Sequence, residues 1–436
     1  MLWWFRKNGS RVKGVLIPPV SAVALCLLAL LAAFLVDMVQ GPALAADWAV
    51  TPGIELKAEY NDNVLFIRDK YAIDDFILRA IPSIHIEANT EKLHFSLHSD
   101  LTGEDYVDHS ELDALNSSNK AQLIYMWSEK FQTTIDGHFI KDETLEDELE
   151  TAGLRAWREK RYRYGGDISG QYAISDILSV TMGGGPEFVR YPEDMEYLSR
   201  SRYPDLDSWH LFFDPSLAID DRDSIGLYIN YNYADYEDSS NIKTLSGHLY
   251  FRRDLSETAY FILGCGYRYT WTKYNTYKVR LSWDPGTGLP YYALEKDRES
   301  SGDGNLIFNA ELNNDWTERF STKASAARIQ YNSTDARSVD LTYTRLNLRY
   351  KITETLSSNL RLSYDHTNED GPYSTDTDSV QVAPYLKWSL TPDLALKFGG
   401  SYRYNKENRW YDDYNIERFT GWISLSYSYP RFLANH

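Results

Sequence analysis

After the first ~45 residues the chain repeats one unit. About ten residues carry apolar groups at every second position, and a turn or loop follows. Gly53 to Tyr60 shows it: Ile54, Leu56, Ala58 and Tyr60 fall on one face, and Glu55, Lys57 and Glu59 on the other. Leu93, Phe95, Leu97 and Leu101 oppose His94, His98, Asp100 and Thr102, and Leu394, Leu396, Phe398, Tyr402 and Tyr404 oppose Lys397, Ser401 and Arg403. A strand sends successive side chains to opposite faces, so a period of two sorts residues between two solvents. The connections alternate too, one short and polar, the next long and often acidic. That double rhythm is the requirement of a transmembrane barrel, with lipid outside, water inside, tight turns at one rim and long loops at the other.

The fold class expected is therefore all-β, a transmembrane antiparallel up-and-down barrel. Strands are predicted at 51–60, 75–88, 93–104, 117–127, 131–141, 160–173, 177–191, 207–219, 224–236, 242–253, 258–270, 303–313, 318–331, 338–350, 356–366, 378–390, 394–405 and 416–429. That makes eighteen, with sixteen as the nearest alternative; an even count returns both termini to one rim. The stretches 318–331 and 338–350 are poorly phased, which predicts a bulge. The longest connection, 271–302, contains Pro285-Gly286-Thr287-Gly288-Leu289-Pro290 and is the candidate for a loop folding into or over the lumen; an external loop is the competing reading.

Residues 1–45 read as a signal peptide. Arg6, Lys7, Arg11 and Lys13 precede an apolar stretch from Val15 to Val39, and Ala43-Leu44-Ala45 offers a cleavage site. The barrel then occupies 46–436. Removing the leader takes away four basic residues and one acidic residue from totals of 45 and 63, so the remainder carries a net charge of about −21. Nucleic acid is excluded as a partner, since its phosphates need basic surface. The acidic run from Asp142 to Glu150 is read as part of an outer rim, either simply solvated or meeting lipopolysaccharide through divalent cations. Lipid and lipopolysaccharide of a Gram-negative outer membrane are the partners this architecture implies. Tyr and Trp settle at membrane interfaces, which accounts for 34 Tyr. One cysteine, Cys265, remains after the leader, and no Cys or His grouping has metal-ligand spacing, so neither a disulfide, a metal nor a cofactor is expected.

A barrel of this size encloses water, so the inward residues define its traffic. The predicted basic lining is Arg345, Arg349, Arg361, Lys387, Lys397, Arg403 and Arg418. The predicted acidic lining is Glu55, Glu59, Glu87, Asp100 and Asp136, with His85, His94, His98 and His138 among them. Such arcs either set a transverse field that orients a polar or anionic solute or pair off with one another. Inward aromatics, Tyr228, Tyr250, Tyr260, Tyr385 and Trp422, are candidates for stacking on sugar rings, against the plainer role of girdle or filler. Enzymatic readings are weak. Asp108-His109 and Asp365-His366 could activate water only with a second acidic pair across the rim. No His is clearly phased towards lipid, as a lipid hydrolase would need. Gly183-Gly184-Gly185-Pro186 lacks the Lys and Ser/Thr of a phosphate loop and reads as a bend or close packing in a strand.

Pro52-Gly53-Ile54 leading into Tyr60-Asn61-Asp62-Asn63-Val64-Leu65-Phe66, then Asp75-Phe76-Ile77 and Ile81-Pro82-Ser83-Ile84, resembles the β-barrel porin family often encoded beside exopolysaccharide operons. The resemblance is specific over about 35 residues and architectural beyond them. It implies an outer-membrane porin-like conduit serving polysaccharide export, with periplasmic export components as partners and no catalytic residues. An uptake porin, general or solute-specific, is the alternative, and a surface enzyme or adhesin the third reading. The chain ends Tyr429-Pro430-Arg431-Phe432 followed by four further residues, which departs from a terminal aromatic assembly signal.

Overall fold

Alternating side chains commit the chain to strands, and strands whose edges must meet in lipid close on themselves. The computed structural model describes residues 47–154, 156–192, 203–283, 290–369, 375–409, 412–429 and 432–434; the leader lies outside them. The wall is β1 (Asp47–Asn61), β2 (Asp75–Asn89), β3 (Leu93–Tyr106), β4 (Ala114–Ser128), β5 (Phe131–Glu143), β6 (Lys160–Ala173), β7 (Leu178–Arg190), β8 (Leu206–Ala218), β9 (Asp223–Tyr236), β10 (Ser240–Asp254), β11 (Tyr260–Trp283), β12 (Pro290–Asp315), β13 (Phe320–Asn332), β14 (Ser338–Lys351), β15 (Leu356–Glu369), β16 (Thr375–Ser389), β17 (Leu394–Arg409) and β18 (Asp412–Ser428). Each pairs antiparallel with the next, and β1 pairs with β18 from Gly53↔Ser428 to Asn61↔Thr420, which closes the cylinder. A short β19 (Phe432–Ala434) continues that seam against Trp48–Val50 of β1. With eighteen strands about 4.8 Å apart and tilted about 40°, the wall has a radius of about 18 Å.

The rim that holds both chain ends has only short connections, of two to five residues, whereas all the connections longer than six residues lie at the other. Four of the short ones close in the same way. Thr90, Thr317, Thr353 and Thr391 each accept, on the side-chain hydroxyl, the N–H three residues on, at 2.9–3.0 Å. The hydroxyl supplies a turn bond that the backbone would otherwise leave to water.

The outward face is apolar in its middle, with Leu56, Ile135, Ile168, Leu211, Leu249, Leu263, Leu306 and Ile423 all exposed. Aromatic groups flank this band. Near the rim of short turns lie Trp127, Tyr172, Tyr350, Trp388 and Tyr429; towards the other lie Phe76, Trp209, Tyr269, Trp271, Tyr364 and Phe419. An apolar belt between two aromatic girdles is the exterior of a barrel that spans an outer membrane, and it fixes the rim of short turns as periplasmic.

Two expectations about the wall are corrected. The stretch 271–302 is not a lumen loop: β11 and β12 stay paired from Tyr260↔Asn313 to Trp283↔Pro290, and only 284–289, at its tip, lies outside the described residues. The bulge falls elsewhere, between Met126 and Ser128 where β4 meets β5. The poor phasing of 318–350 has another cause. The β12–β13 ladder stops at Phe308↔Arg328, whereas β13 and β14 remain paired to Asn332↔Ser338. The tip of this hairpin leaves the wall and leans inward. Its Ser333 and Ala336 carbonyls accept bonds from Tyr236 and Ser240 at 3.1 and 2.7 Å, so both of its faces are covered and neither alternates cleanly.

Candidate functional site

The third correction concerns the acidic run. Thr144–Ala152 is a helix, α1, inserted between β5 and β6 and folded into the lumen. Leu145, Leu149 and Ala152 recur at helical spacing and form its apolar face. Leu145 and Leu149 pack on Phe66 and Ile416, while Ala152 and Leu154 pack on Val339 and Leu341 of the inward-leaning hairpin. Glu146 and Asp147 occupy the first turn, where the helix dipole favours negative charge. Gly153 ends the helix at φ 68°, a left-handed conformation natural to glycine, with its N–H on the Leu149 carbonyl at 3.1 Å.

The wall receives the helix with arginines and an amide. Arg418 holds Glu146 in a two-pronged bond at 2.7 and 3.0 Å. Arg403 donates to the Leu149 carbonyl, Arg345 to that of Thr151 at 2.8 Å, and Asn405 to that of Gly153 at 2.6 Å, so side chains of the wall satisfy the carbonyls at the helix C-terminus. Arg161 and Arg163 reach Asp147 at 2.7 and 3.1 Å. Glu148, 2% exposed, accepts the Thr334 N–H at 3.1 Å. Burial raises the Glu148 carboxyl to about 7, only partly offset by Arg161 and its hydrogen bonds. Burial also pushes Glu146 upward, but Arg418 outweighs it and holds that carboxyl down at about 2.

The helix divides the lumen. A cavity of about 520 Å³ lies on one side, among Glu148, Arg163, Asn230, Arg268 and Tyr331. Another of about 620 Å³ lies on the other, among Glu59, Arg79, Glu146, Arg361, Arg418 and Trp422.

The strand registers carry every residue read as lumen lining to the inward side of the wall. On β1 Glu55 and Glu59 alternate with outward Ile54 and Leu56. Glu87, Asp100 and Asp136 follow on β2, β3 and β5. Arg345 and Arg349 lie on β14, Arg361 on β15, Lys387 on β16, Lys397 and Arg403 on β17 and Arg418 on β18. They do not act as one set. Arg345, Arg403 and Arg418 are engaged by α1, and Lys397 bonds Glu55 across the seam at 3.0 Å. Arg349, Arg361 and Lys387 enter no ion pair among the described residues, and they stand on the wall facing β5 and its neighbours. Glu87 on β2 bonds His85 and Asp100 on β3 bonds His98, each at 3.0 Å, and Asp136 on β5 accepts from Gln122 at 2.8 Å.

The aromatics divide likewise. Tyr385 and Trp422 pair at 6.1 Å between centroids, and Lys57 caps Trp422 at 5.1 Å. Arg252 caps Tyr260 at 4.4 Å. Tyr228 and Tyr250 belong to a separate row with Phe212 and His248.

The rim pairs do not form adjacent dyads. His109 bonds Asp75 at 2.9 Å. Asp365 is buried on the inward side beside Arg345, whereas His366, on the opposite side of β15, bonds Asp378 at 2.9 Å. One histidine is thus phased outward, contrary to the sequence reading; among the described residues no hydroxyl bonds its ring. Gly183–Pro186 lie within β7. No group of His, Cys, Asp and Glu among the described residues could hold a metal. What sequence reasoning missed was α1 and the arginines Arg79, Arg158, Arg161, Arg163 and Arg268. The spacing of Leu145, Leu149 and Ala152 ahead of Gly153 was the available signal.

No family model and no curated protein matches the sequence. Solved structures similar to it include the outer membrane protein OpdK of Pseudomonas aeruginosa, at 9% identity over 87% of this chain and 99% of that one, with a TM-score of 0.39. OccK2 (OpdF) of the same organism is similar at 12% identity over 88% and 98%, TM-score 0.42. The ferric-catecholate import receptor Fiu of Escherichia coli is similar at 7% identity over 86% and 81%, TM-score 0.42.

Proposed function

We propose that this protein is a passive, solute-selective channel of the Gram-negative outer membrane, admitting small polar solutes towards the periplasm. The observation that carries the proposal is α1. A helix docked across the lumen leaves two side passages, with cavities of about 520 and 620 Å³. Those volumes suit single solutes of a few hundred daltons and not a polymer threading through. Below the helix, Arg349, Arg361 and Lys387 form a basic arc on β14 to β16, and Glu87, Asp100 and Asp136 an acidic arc on β2, β3 and β5. Opposed fixed charges between low-dielectric walls orient a dipolar solute.

Export of polysaccharide, the function implied by the family resemblance, requires α1 to leave the lumen, so it is the second reading and the less favoured. Swelling of liposomes holding the purified barrel decides between them. Uptake requires swelling in monosaccharides and amino acids that falls off steeply with solute size. It also requires deletion of the gene to lower small-solute permeability and leave surface polysaccharide unchanged. The reverse pair of results overturns the proposal. Neutralising Arg349, Arg361 and Lys387 together is expected to shift ion selectivity towards cations in a planar bilayer; unchanged selectivity refutes the field.

A further inference from the structure

Three neighbouring strands put an aromatic row on the inward wall of the periplasmic half. Phe212 on β8 stacks with Tyr228 on β9, centroids 6.0 Å apart and planes 19° apart. Tyr228 meets His248 on β10 at 5.3 Å, and His248 meets Tyr250 at 6.2 Å. The wall is shaped to receive these rings. Gly226 is the register partner of Tyr250, and a Cβ there would lie 2.1 Å from Tyr250 Cζ. Only a glycine lets that ring lie against the backbone with its other face to the lumen. The Tyr250 hydroxyl donates to Asp214 at 2.9 Å, which fixes the ring in plane. Gly264, the partner of both Tyr250 and Asn309, makes the same room for Asn309: a Cβ there would lie 2.1 Å from its Oδ1.

Beside the rings stand polar groups with bonding capacity to spare. The Oδ1 atoms of Asn230, Asn232 and Asn309 are shut away from water and accept no hydrogen bond among the described residues. The side chains of these residues nonetheless line the cavities, where an amide can hydrogen-bond a ligand. Asn309, Tyr228, His248 and Tyr250 line one cavity of about 490 Å³, and Asn230 and Asn232 line the cavity next to it. The basic charge nearby is paired. Arg252 is bound to Asp254 at 2.9 and 3.0 Å, and Asp214 holds Tyr250. Unlike Trp422 and Tyr260, the rings of Tyr228 and Tyr250 carry no cation among the described residues.

We infer that this wall, from Phe212 to Asn309, is a binding site for a neutral pyranose oligosaccharide. A pyranose ring offers an apolar C–H face to an aromatic ring and a rim of hydroxyls to amide acceptors, and this wall supplies both without a free cation. An anionic solute would find no free counter-ion here and would be repelled by Asp214. The inference rests on the channel reading, whose permeant it names: a short neutral sugar that slides over Tyr228 and Tyr250.

The test is calorimetric titration of the purified full-length barrel in detergent micelles with maltotriose, cellotriose and, as anionic comparator, trigalacturonate. Each protein is first shown to be folded by its heat-modifiable mobility. At least one neutral trisaccharide is expected to bind saturably, and more tightly than trigalacturonate. Loss of both rings in Tyr228→Ala/Tyr250→Ala should weaken binding by about tenfold or more. Gly226→Ala, which retains both rings but displaces Tyr250, should weaken it in the same direction, whereas Trp422→Ala should leave it within about twofold. Binding of neither neutral sugar, equal or tighter binding of trigalacturonate, or a double variant that binds as the wild type does, each overturns the assignment. Parallel planar-bilayer recordings separate the two proposals. Sugar binding without conductance refutes the channel and keeps the site; conductance without sugar binding refutes the site and keeps the channel.

Discussion

If α1 is what narrows the lumen, removing it must enlarge the conducting path by an amount its geometry sets. The wall permits a clean excision, because Glu143 and Lys160 are register partners at the ends of β5 and β6. Residues 144–159 can be replaced by a short Asn-Gly turn, the connection such a pair favours, without disturbing any ladder bond. The wall radius of about 18 Å, less a side-chain layer of about 5 Å, gives a lumen about 530 Å² in cross-section. A helix of nine residues is about 13 Å long and about 10 Å across. Lying across the lumen it covers about 130 Å², roughly a quarter. The excised segment contains five carboxylates, Glu146, Asp147, Glu148, Glu150 and Glu159, against Arg155 and Arg158, so the lumen loses three negative charges net. Arg418 and Arg403 are freed into water. Single-channel conductance in a planar bilayer should therefore rise by about 1.3- to 2-fold, and the reversal potential under a salt gradient should move towards anions. Unchanged conductance and selectivity in a folded variant would refute a lumen-docked α1 and the size selection built on it.

Other outcomes follow from the same contacts. Leu149→Ala should undock α1 and raise conductance nearly as far as excision, since truncating a fully buried leucine costs about 2–5 kcal/mol; Glu146→Gln should shift selectivity and leave conductance little changed. Conductance should depend on pH with a minimum near 4.5. A docked Glu148 carboxyl at about 7, above its ordinary 4.5, binds its proton more tightly when docked, so docking weakens as pH rises from 4.5 through 7. Glu146, held at about 2 by Arg418, acts the other way as pH falls from 4.5 towards 2, but weakly, because its side chain is 58% exposed to lumen water. Glu148→Gln should flatten the upper limb, read as open-state occupancy between pH 4 and about 8. On the outside, Leu249→Arg in the apolar band should lower the urea stability of the barrel in vesicles by about 2–4 kcal/mol, whereas Glu87→Gln in the lumen should leave it near wild type.

The wall was legible in the sequence because a membrane imposes its constraint at every second position. Leu56 and Glu55 cannot exchange faces without placing a carboxylate in acyl chains, so eighteen strands and their facing could be read from alternation alone. The interior escaped because it obeys no single period. The run from Asp142 to Glu150 has the composition of a solvated loop, and the signal of a helix is confined to Leu145, Leu149 and Ala152. Nine residues are too few for a helix to stand alone; α1 exists because Phe66, Ile416, Val339 and Leu341, far apart in sequence, meet in space. The same long-range logic hid the departure of the β13–β14 tip from the wall. A strand covered on both faces reads as noise to a two-solvent pattern. At 271–302, charged and polar residues mimicked a loop, because strands running beyond the membrane lose the apolar face that would mark them.

Charge might be thought to hold α1 in place, since it carries four acids and arginines surround it. The energetics point elsewhere. Glu146 bonds Arg418 in good geometry, yet its side chain is 58% exposed to lumen water, and exposed ion pairs are worth little after screening and side-chain entropy. Leu149, Val339 and Ile416 are shut away from water altogether, and burial of each such side chain contributes about 1.5–3 kcal/mol. The apolar face therefore supplies affinity, and the arginines supply register, deciding which carbonyl and which carboxylate each guanidinium meets. Glu148 works against both, a carboxyl buried at a cost on the order of 3 kcal/mol when ionised. A plug that only had to seal would carry leucine or glutamine there. Retaining a destabilising acid at the centre of an otherwise favourable interface keeps docking marginal near neutral pH, and a marginal helix can yield to a solute that competes for its place.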